Sequence, residues 1–234
     1  MEKKNASVFY GDAERLLLAV DCIIFGFDRD CLKLLLFQRK VDPFQHEWSL
    51  IGSFVQSAES VTKAAERVLQ FHTGLTNIFM EELGCYGAVK RDPGGRVISI
   101  AYFALMRLEE EDKQIAETCE AQWFDVDDLP DLILDHPQMI KDALEKLRRK
   151  ARYRPIGFEL LPEKFTIPQL RTLYEVIYQR LLDRRNFRKK ILSMNILLKM
   201  EEKDKSSSRK GAYLYRFIPE KYKEMVEKGV DFVI

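Results

Sequence analysis

The stretch Ile51-Gly52-Ser53-Phe54-Val55-Gln56-Ser57-Ala58-Glu59-Ser60-Val61-Thr62-Lys63-Ala64-Ala65-Glu66-Arg67-Val68-Leu69-Gln70-Phe71-His72-Thr73-Gly74-Leu75 decides the fold. A turn carrying Gly52 leads into a helix expected to start between Ser57 and Glu59. Val61, Ala65, Val68, Leu69 and Phe71 fall largely on one helical face. Gly74 supplies the left-handed residue that ends the helix.

This stretch resembles the Nudix box, the loop-helix-loop that defines the Nudix superfamily. With Ser53 at the family's early glycine, Glu59, Arg67, Leu69, Gly74 and Leu75 take their expected places. Three positions depart from the pattern: the glutamate after the arginine is Val68, and the closing glutamate pair is Phe71 and His72. In active members those carboxylates hold a divalent metal, because Mg²⁺ takes oxygen ligands and couples hydrolysis to the substrate's phosphates. Glu66 occupies no required position, and the resemblance implies that Glu59 braces the loop. The frame of the box is expected without its chemistry: no catalytic residue, no metal, no cofactor.

Outward from the box, Arg15–Phe27 reads as a strand, Asp28–Asp30 as a turn and Cys31–Gln38 as the partner strand. A loop with Pro43 follows, then a further strand at Trp48–Ile51. Phe79–Val89 and Arg96–Met106 read as two β segments around the turn Lys90–Gly95. Glu109–Asp112 reads as a solvated acidic loop, and Ala121–Phe124 as another strand. Met139, Ile140, Ala143, Leu144 and Leu147 give a helix over His136–Arg152 its apolar side. The pattern fits the Nudix α/β/α sandwich over residues 1–152. Glu47-Trp48-Ser49-Leu50-Ile51-Gly52 and Arg91-Asp92-Pro93-Gly94 also resemble segments of Nudix-related transcriptional regulators, which include repressors of NAD metabolism and arabinose regulators.

The length of 234 residues suits a larger domain plus a smaller one. The polar start, Met1–Ser7, lacks a signal peptide's apolar core, and Leu16–Phe27 is too short to span a bilayer and carries Asp21. Cys22, Cys31, Cys85 and Cys119 show no metal-ligand spacing and read as buried free thiols in a reducing cytoplasm. Net charge is unevenly spread. Residues 1–154 hold 21 Lys and Arg against 26 acids, a net of −5, whereas residues 155–234 hold 17 against 11, a net of +6. A polyanion is therefore expected to meet only the second part.

Residues 153–234 read as a second domain. An extended lead-in over Gly157–Phe165 precedes Thr166, a helix cap, and a helix from Ile167 to about Leu181, with Pro168 tolerated in its first turn. After a turn, Asp183 can cap a helix in which Phe187, Ile191 and Met194 bury. Arg184, Arg185, Asn186, Arg188, Lys189 and Lys190 face outward. A strand at Ile196–Met200, a basic loop with Lys205, Arg209 and Lys210, and a strand at Ala212–Phe217 complete a winged helix-turn-helix order. The second helix of that fold enters the major groove and the wing follows phosphates. Arginine and lysine suit phosphates and guanine edges, and asparagine suits adenine. Phe158-Glu159-Leu160-Leu161-Pro162-Glu163-Lys164-Phe165-Thr166 and Arg185-Asn186-Phe187-Arg188-Lys189-Lys190 also resemble the C-terminal domain of the same regulators.

For an effector, the candidate residues in the front domain are Asp21, Arg39, Trp48, Ser53, Lys90 and Arg91. Asp21, alone in an apolar strand, either pairs with a cation or faces a pocket and bonds ligand hydroxyls. Trp48 suits stacking on a ring as well as core packing. His46, His72 and His136 read as packed or capping residues. Together these features predict a cytoplasmic, DNA-binding transcriptional regulator, a repressor acting as a homodimer on a palindromic operator. Its inactive Nudix-like domain would sense a pentose such as L-arabinose, or ADP-ribose, with the lost carboxylates leaning toward a neutral sugar. The alternative is an active Nudix hydrolase of ADP-ribose or a similar nucleoside diphosphate.

Overall fold

A computed structural model describes residues 11–74, 80–109, 121–156, 158–205 and 210–229. Leu75, the acidic run after Glu109, Cys119 and Arg209 lie outside them. Strand β1 (Leu17–Asp28) organises the front domain. It runs parallel to β6 (Val97–Arg107) along its length and pairs antiparallel with β2 (Cys31–Gln38) at one end. At its other end it pairs with β4 (Ile51–Phe54). Beyond β2 lie β3 (Trp48–Ser49) and β7 (Ala121–Asp125), and β5 (Met80–Tyr86) flanks β6. The turn between β1 and β2 is tighter than expected, with only Arg29 and Asp30 between paired residues and Arg29 at φ 57°.

The near-continuous apolar run of β1 has the composition of a strand covered on both faces. Val20, Cys22 and Ile24 pack toward helix α1 (Val61–Thr73). Ile23, Phe25 and Phe27 join the core formed with helix α2 (His136–Tyr153). The sheet is therefore the middle layer of the expected α/β/α sandwich. Helix α1 starts at Val61, later than its sequence suggested, because Ser60 is the cap and accepts from Lys63 N at 3.2 Å. The preceding loop is held by Glu59, which takes two hydrogen bonds from Arg67 at 2.6 and 3.0 Å and one from Gln56 N at 2.9 Å. Gly74, at φ 68°, ends the helix as expected. Phe71 departs from expectation: it is 77% exposed, and Ala64 and Thr73 bury instead.

The second domain opens on a 3₁₀ turn, Phe158–Leu160, where an extended lead-in was expected. The turn lets Phe158 stack on Phe217 at 4.1 Å. Thr166 caps α3 (Ile167–Tyr178) in a full capping box with Gln169, and Gln179 ends it in the left-handed region, so that the helix stops three residues short of Leu181. Asp183 Oδ1 accepts from Asn186 N at 2.8 Å and caps α4 (Arg184–Ser193). A short β8 (Phe165–Thr166), β10 (Ala212–Phe217) and β9 (Leu197–Asp204) form a three-stranded sheet in the order β8-β10-β9. Helix α5 (Pro219–Glu227) follows, an element the sequence reading did not include.

One apolar cluster runs through both domains. Phe25 and Leu34 of the sheet, Met139 and Leu147 of α2, and Leu170, Leu173, Tyr174 and Ile191 of the winged helix all belong to it. Leu147 is fully buried. Leu147→Ala should cost about 2–5 kcal/mol in denaturant unfolding. The loop before α1 should respond to acid. Arg67 holds the Glu59 carboxyl at about 2, below its ordinary 4.5. A depressed folded value means that the brace is complete above pH 4.5 and is lost as pH falls through about 2. An NMR titration of the Glu59 carboxyl should show this low midpoint, and Arg67→Ala should raise it toward the ordinary range, with the Gln56 N–H bond still holding it somewhat down.

Candidate functional site

The front domain contains a cavity of about 670 Å³ beside the box. Its floor is unusually polar for a protein interior. Asp21, on β1, accepts from Ser99 Oγ at 2.5 Å. Arg91, buried in the loop before β6, makes two hydrogen bonds to Asp135 at 2.7 and 2.9 Å and lies 3.6 Å from Asp21 Oδ2. His136, the first residue of α2, accepts from Leu50 N through Nδ1 at 3.2 Å, and its Nε2 lies 3.8 Å from Asp21 Oδ1. Burial pushes the His136 imidazole below its ordinary pKa, against the opposing pull of Asp21 and Asp135. Gly52 is required here: any Cβ would collide with Asp21 Oδ1 and lie 2.8 Å from Val20 O.

The walls differ in character. Phe37, Phe54, Phe71 and His72 supply ring surface, with His72 centred 5.5 Å from Phe37 and 5.0 Å from Phe71. Arg39 and Lys40 line the same cavity, and Arg39 is oriented by Nε bonds to Val41 O and Pro43 O at 3.1 and 2.7 Å. Of the sequence candidates, Asp21, Arg39, Ser53 and Arg91 line the cavity. Trp48 and Lys90 do not. Trp48 packs edge-on against Phe124 at 4.8 Å, and Lys90 is exposed on the turn before β6. Asp21 meets both of its alternatives, since it pairs with Arg91 and also faces the pocket.

The floor residues Ser49, Ser99, Asp135 and His136 escaped the sequence reading as site residues. Their separation along the chain leaves no local pattern, and only the fold brings His136 to Asp21. Of the three departures in the box, Val68 is 2% exposed and packs in the core, while Phe71 and His72 face the cavity. Among the described residues, no three His, Cys, Asp or Glu side chains converge as a metal site.

A second surface lies on the winged helix. Phe187 and Ile191, one turn apart, are the buried edge of α4. Arg185 and Lys189 therefore project from the opposite side, with Leu192, 37% exposed, beside them. Arg184 and Arg188 flank them on one side and Asn186 and Lys190 on the other, and all six polar residues are exposed. In the hairpin, Lys199 and Lys203 sit over the Tyr213 ring at 3.8 and 4.5 Å. Lys205 and Lys210 are exposed at the two ends of the loop. Both cationic elements belong to the unit formed by α3, α4, α5 and the three-stranded sheet.

The two regions match known families. Residues 15–146 match the NUDIX domain and residues 157–217 the NrtR DNA-binding winged helix domain. An ADPR responsive transcriptional repressor NtrR of Acinetobacter baylyi is 31% identical over 212 residues, covering 88% of this chain and 84% of that one. An ADP-ribose pyrophosphatase of Methanocaldococcus jannaschii is 41% identical over 127 residues, 54% of this chain and 72% of the enzyme. Shewanella oneidensis NrtR in complex with a 27mer DNA superposes with a TM-score of 0.76 at 30% identity, covering 88% of this chain and 95% of that one. The NUDIX domain of the same NrtR, complexed with ADP ribose, superposes with a TM-score of 0.52 at 28% identity, covering 63% and 99%. Among the described residues, no helix is long and apolar enough to cross a membrane. The chain belongs to the Nudix family and, within it, to the NrtR group, in which a Nudix domain is joined to a winged helix domain.

Proposed function

We propose that this protein is a transcriptional repressor that binds DNA through α4 and the wing and answers to ADP-ribose held in the Nudix cavity. The observation that carries this reading is one chain with two complementary surfaces. An exposed cationic helix stands on a winged helix, and an aromatic and cationic cavity stands where the family's metal glutamates are absent. Arg185 and Lys189 are the residues best aimed at base edges, with Arg184, Arg188, Lys190, Lys205 and Lys210 on phosphates. The relatives support DNA and ADP-ribose as ligands of this architecture. The sequence leaned toward a pentose, but the cavity's size and ring surface favour a larger nucleotide, with Arg39 and Lys40 at its diphosphate. Action as a homodimer on a two-fold operator follows from the short half-site that one winged helix reads.

Mobility shifts on the chain's own upstream region test the reading. Complexes should form at low salt and weaken steeply as salt rises, since phosphate contacts dominate affinity. Arg185→Ala should reduce affinity by roughly ten-fold or more, and Arg188→Ala by less, with thermal unfolding unchanged. ADP-ribose at micromolar levels should alter the shift where L-arabinose does not. Unshifted DNA at all salt concentrations would remove the DNA half of the proposal.

The 41% identity to an ADP-ribose pyrophosphatase favours a second reading, hydrolysis of the same ligand. Valine, phenylalanine and histidine in place of three glutamates argue against it, because the metal that would activate water loses its oxygen ligands. Incubation with ADP-ribose and Mg²⁺ should leave the nucleotide intact by chromatography, and release of AMP at enzymatic rates would reverse the assignment.

A further inference from the structure

The polar groups under the cavity are bonded on one side only. Asp21 uses Oδ2 for Ser99, and His136 uses Nδ1 for Leu50 N. Among the described residues, Asp21 Oδ1 and His136 Nε2 have no hydrogen-bond partner, and at 3.8 Å they are too far apart to bond each other. The side chains are both buried, and both line the cavity.

Their chemistry is complementary. Because Leu50 N–H donates to Nδ1, a neutral imidazole there carries its proton on Nε2 and presents a donor. Burial keeps the ring neutral. Asp21 Oδ1 is an acceptor beside it. A vicinal diol presents a matching acceptor and donor one hydroxyl apart. A phosphate does not fit this floor. Among the described residues, Arg91 is the one cation on the floor, and Asp135 and Asp21 both face it, leaving an excess negative charge. The cations free to meet a diphosphate are nearer the loop, at Arg39, and the ring surface is at Phe71 and His72.

We propose that Asp21 Oδ1 and His136 Nε2–H form a subsite for the vicinal hydroxyls of the terminal ribose of the effector, an assignment that rests on the nucleotide reading above. The nucleotide then lies with its base against the aromatic wall, its diphosphate at Arg39 and its terminal sugar on the floor. His136 is a specificity-determining residue: it lets the site tell a ribosylated nucleotide from one that ends in phosphate.

His136→Asn tests this with little structural cost. The asparagine Oδ1 can take the place of Nδ1 and accept from Leu50 N–H, while the donor at Nε2 is lost. Calorimetry should show ADP-ribose binding to the native protein and a roughly ten- to hundred-fold weaker affinity in the variant. ADP, which lacks the terminal ribose, should bind both proteins within about two-fold. Equal ADP-ribose binding by both proteins overturns the subsite and leaves the effector reading intact. An equal loss for ADP-ribose and ADP also overturns it, since the variant then acts through structure. If the native protein ignores ADP-ribose but binds ribose 5-phosphate in a His136-dependent way, the effector reading falls and the subsite stands. If it binds neither, both fall. The native protein also gives a measurement that needs no variant: ribose 5-phosphate should bind roughly ten-fold tighter than 2-deoxyribose 5-phosphate, and equal binding overturns the proposal.

Discussion

A carboxylate in the middle of an apolar strand constrains the whole front domain. Asp21 sits between Val20 and Cys22, which are fully buried, and a charge in such a place is costly unless paired. Ser99 of β6, Arg91 of the preceding loop and His136 at the start of α2 all turn toward it. Asp135 completes the set by holding Arg91. One corner of the sandwich is thus fixed by polar groups that come from four parts of the chain. Opposite Asp21 on β4, only glycine leaves room for the carboxylate. The cavity floor is the open side of this arrangement.

The box separates into a structural part and a chemical part. Glu59 and Arg67 fix the loop before α1 by a bidentate pair, and Gly74 ends the helix, without reference to any metal. Val68 turns into the core with Val20, Cys22 and Ile24. A glutamate there would bury a charge among apolar side chains, so a single reversion at this position is opposed by the packing. Phe71, by contrast, is held on the surface at the cavity rim, where its ring lines the cavity and fills no core.

Much of the fold was legible because its signals are local. The strand run of β1, the apolar spacing of α2, the Thr166 and Asp183 caps and the basic α4 each sit within a dozen or so residues. Helix α1 starts later than its sequence suggests because Glu59, a plausible first-turn acid, is instead the brace of the loop, leaving the cap to Ser60. Helix α5 carried a signal that went unread, with Pro219 in its first turn and Tyr222 and Met225 at helical spacing. The site was less legible. Asp21 stood out as an isolated acid, but its partners lie far along the chain. Trp48 is a candidate by residue type alone, and its ring packs on Phe124 and the core instead.

The two functional surfaces are joined by material that does not deform freely. Strand β2 begins at the winged helix side with Cys31 and Leu32 and ends beside the cavity with Phe37. Lys33 pairs with Asp125 of β7, and two residues on, Asp127 accepts from Gln179 Nε2 at 2.6 Å. Gln179 also accepts from Arg148 of α2, whose Nε donates to Ile177 O at 3.1 Å. The residue that ends α3, and so sets the angle of the turn into α4, is therefore held from the front domain on two sides. Close-packed interiors answer a displacement by moving neighbours together or by repacking to a second arrangement. With Leu34 and Tyr174 in one apolar cluster, a ligand that displaced β2 would have to carry α3 with it or break the Gln179 bridges. Either response re-aims α4, and in a dimer a small change of that angle is a change in the spacing of two reading helices.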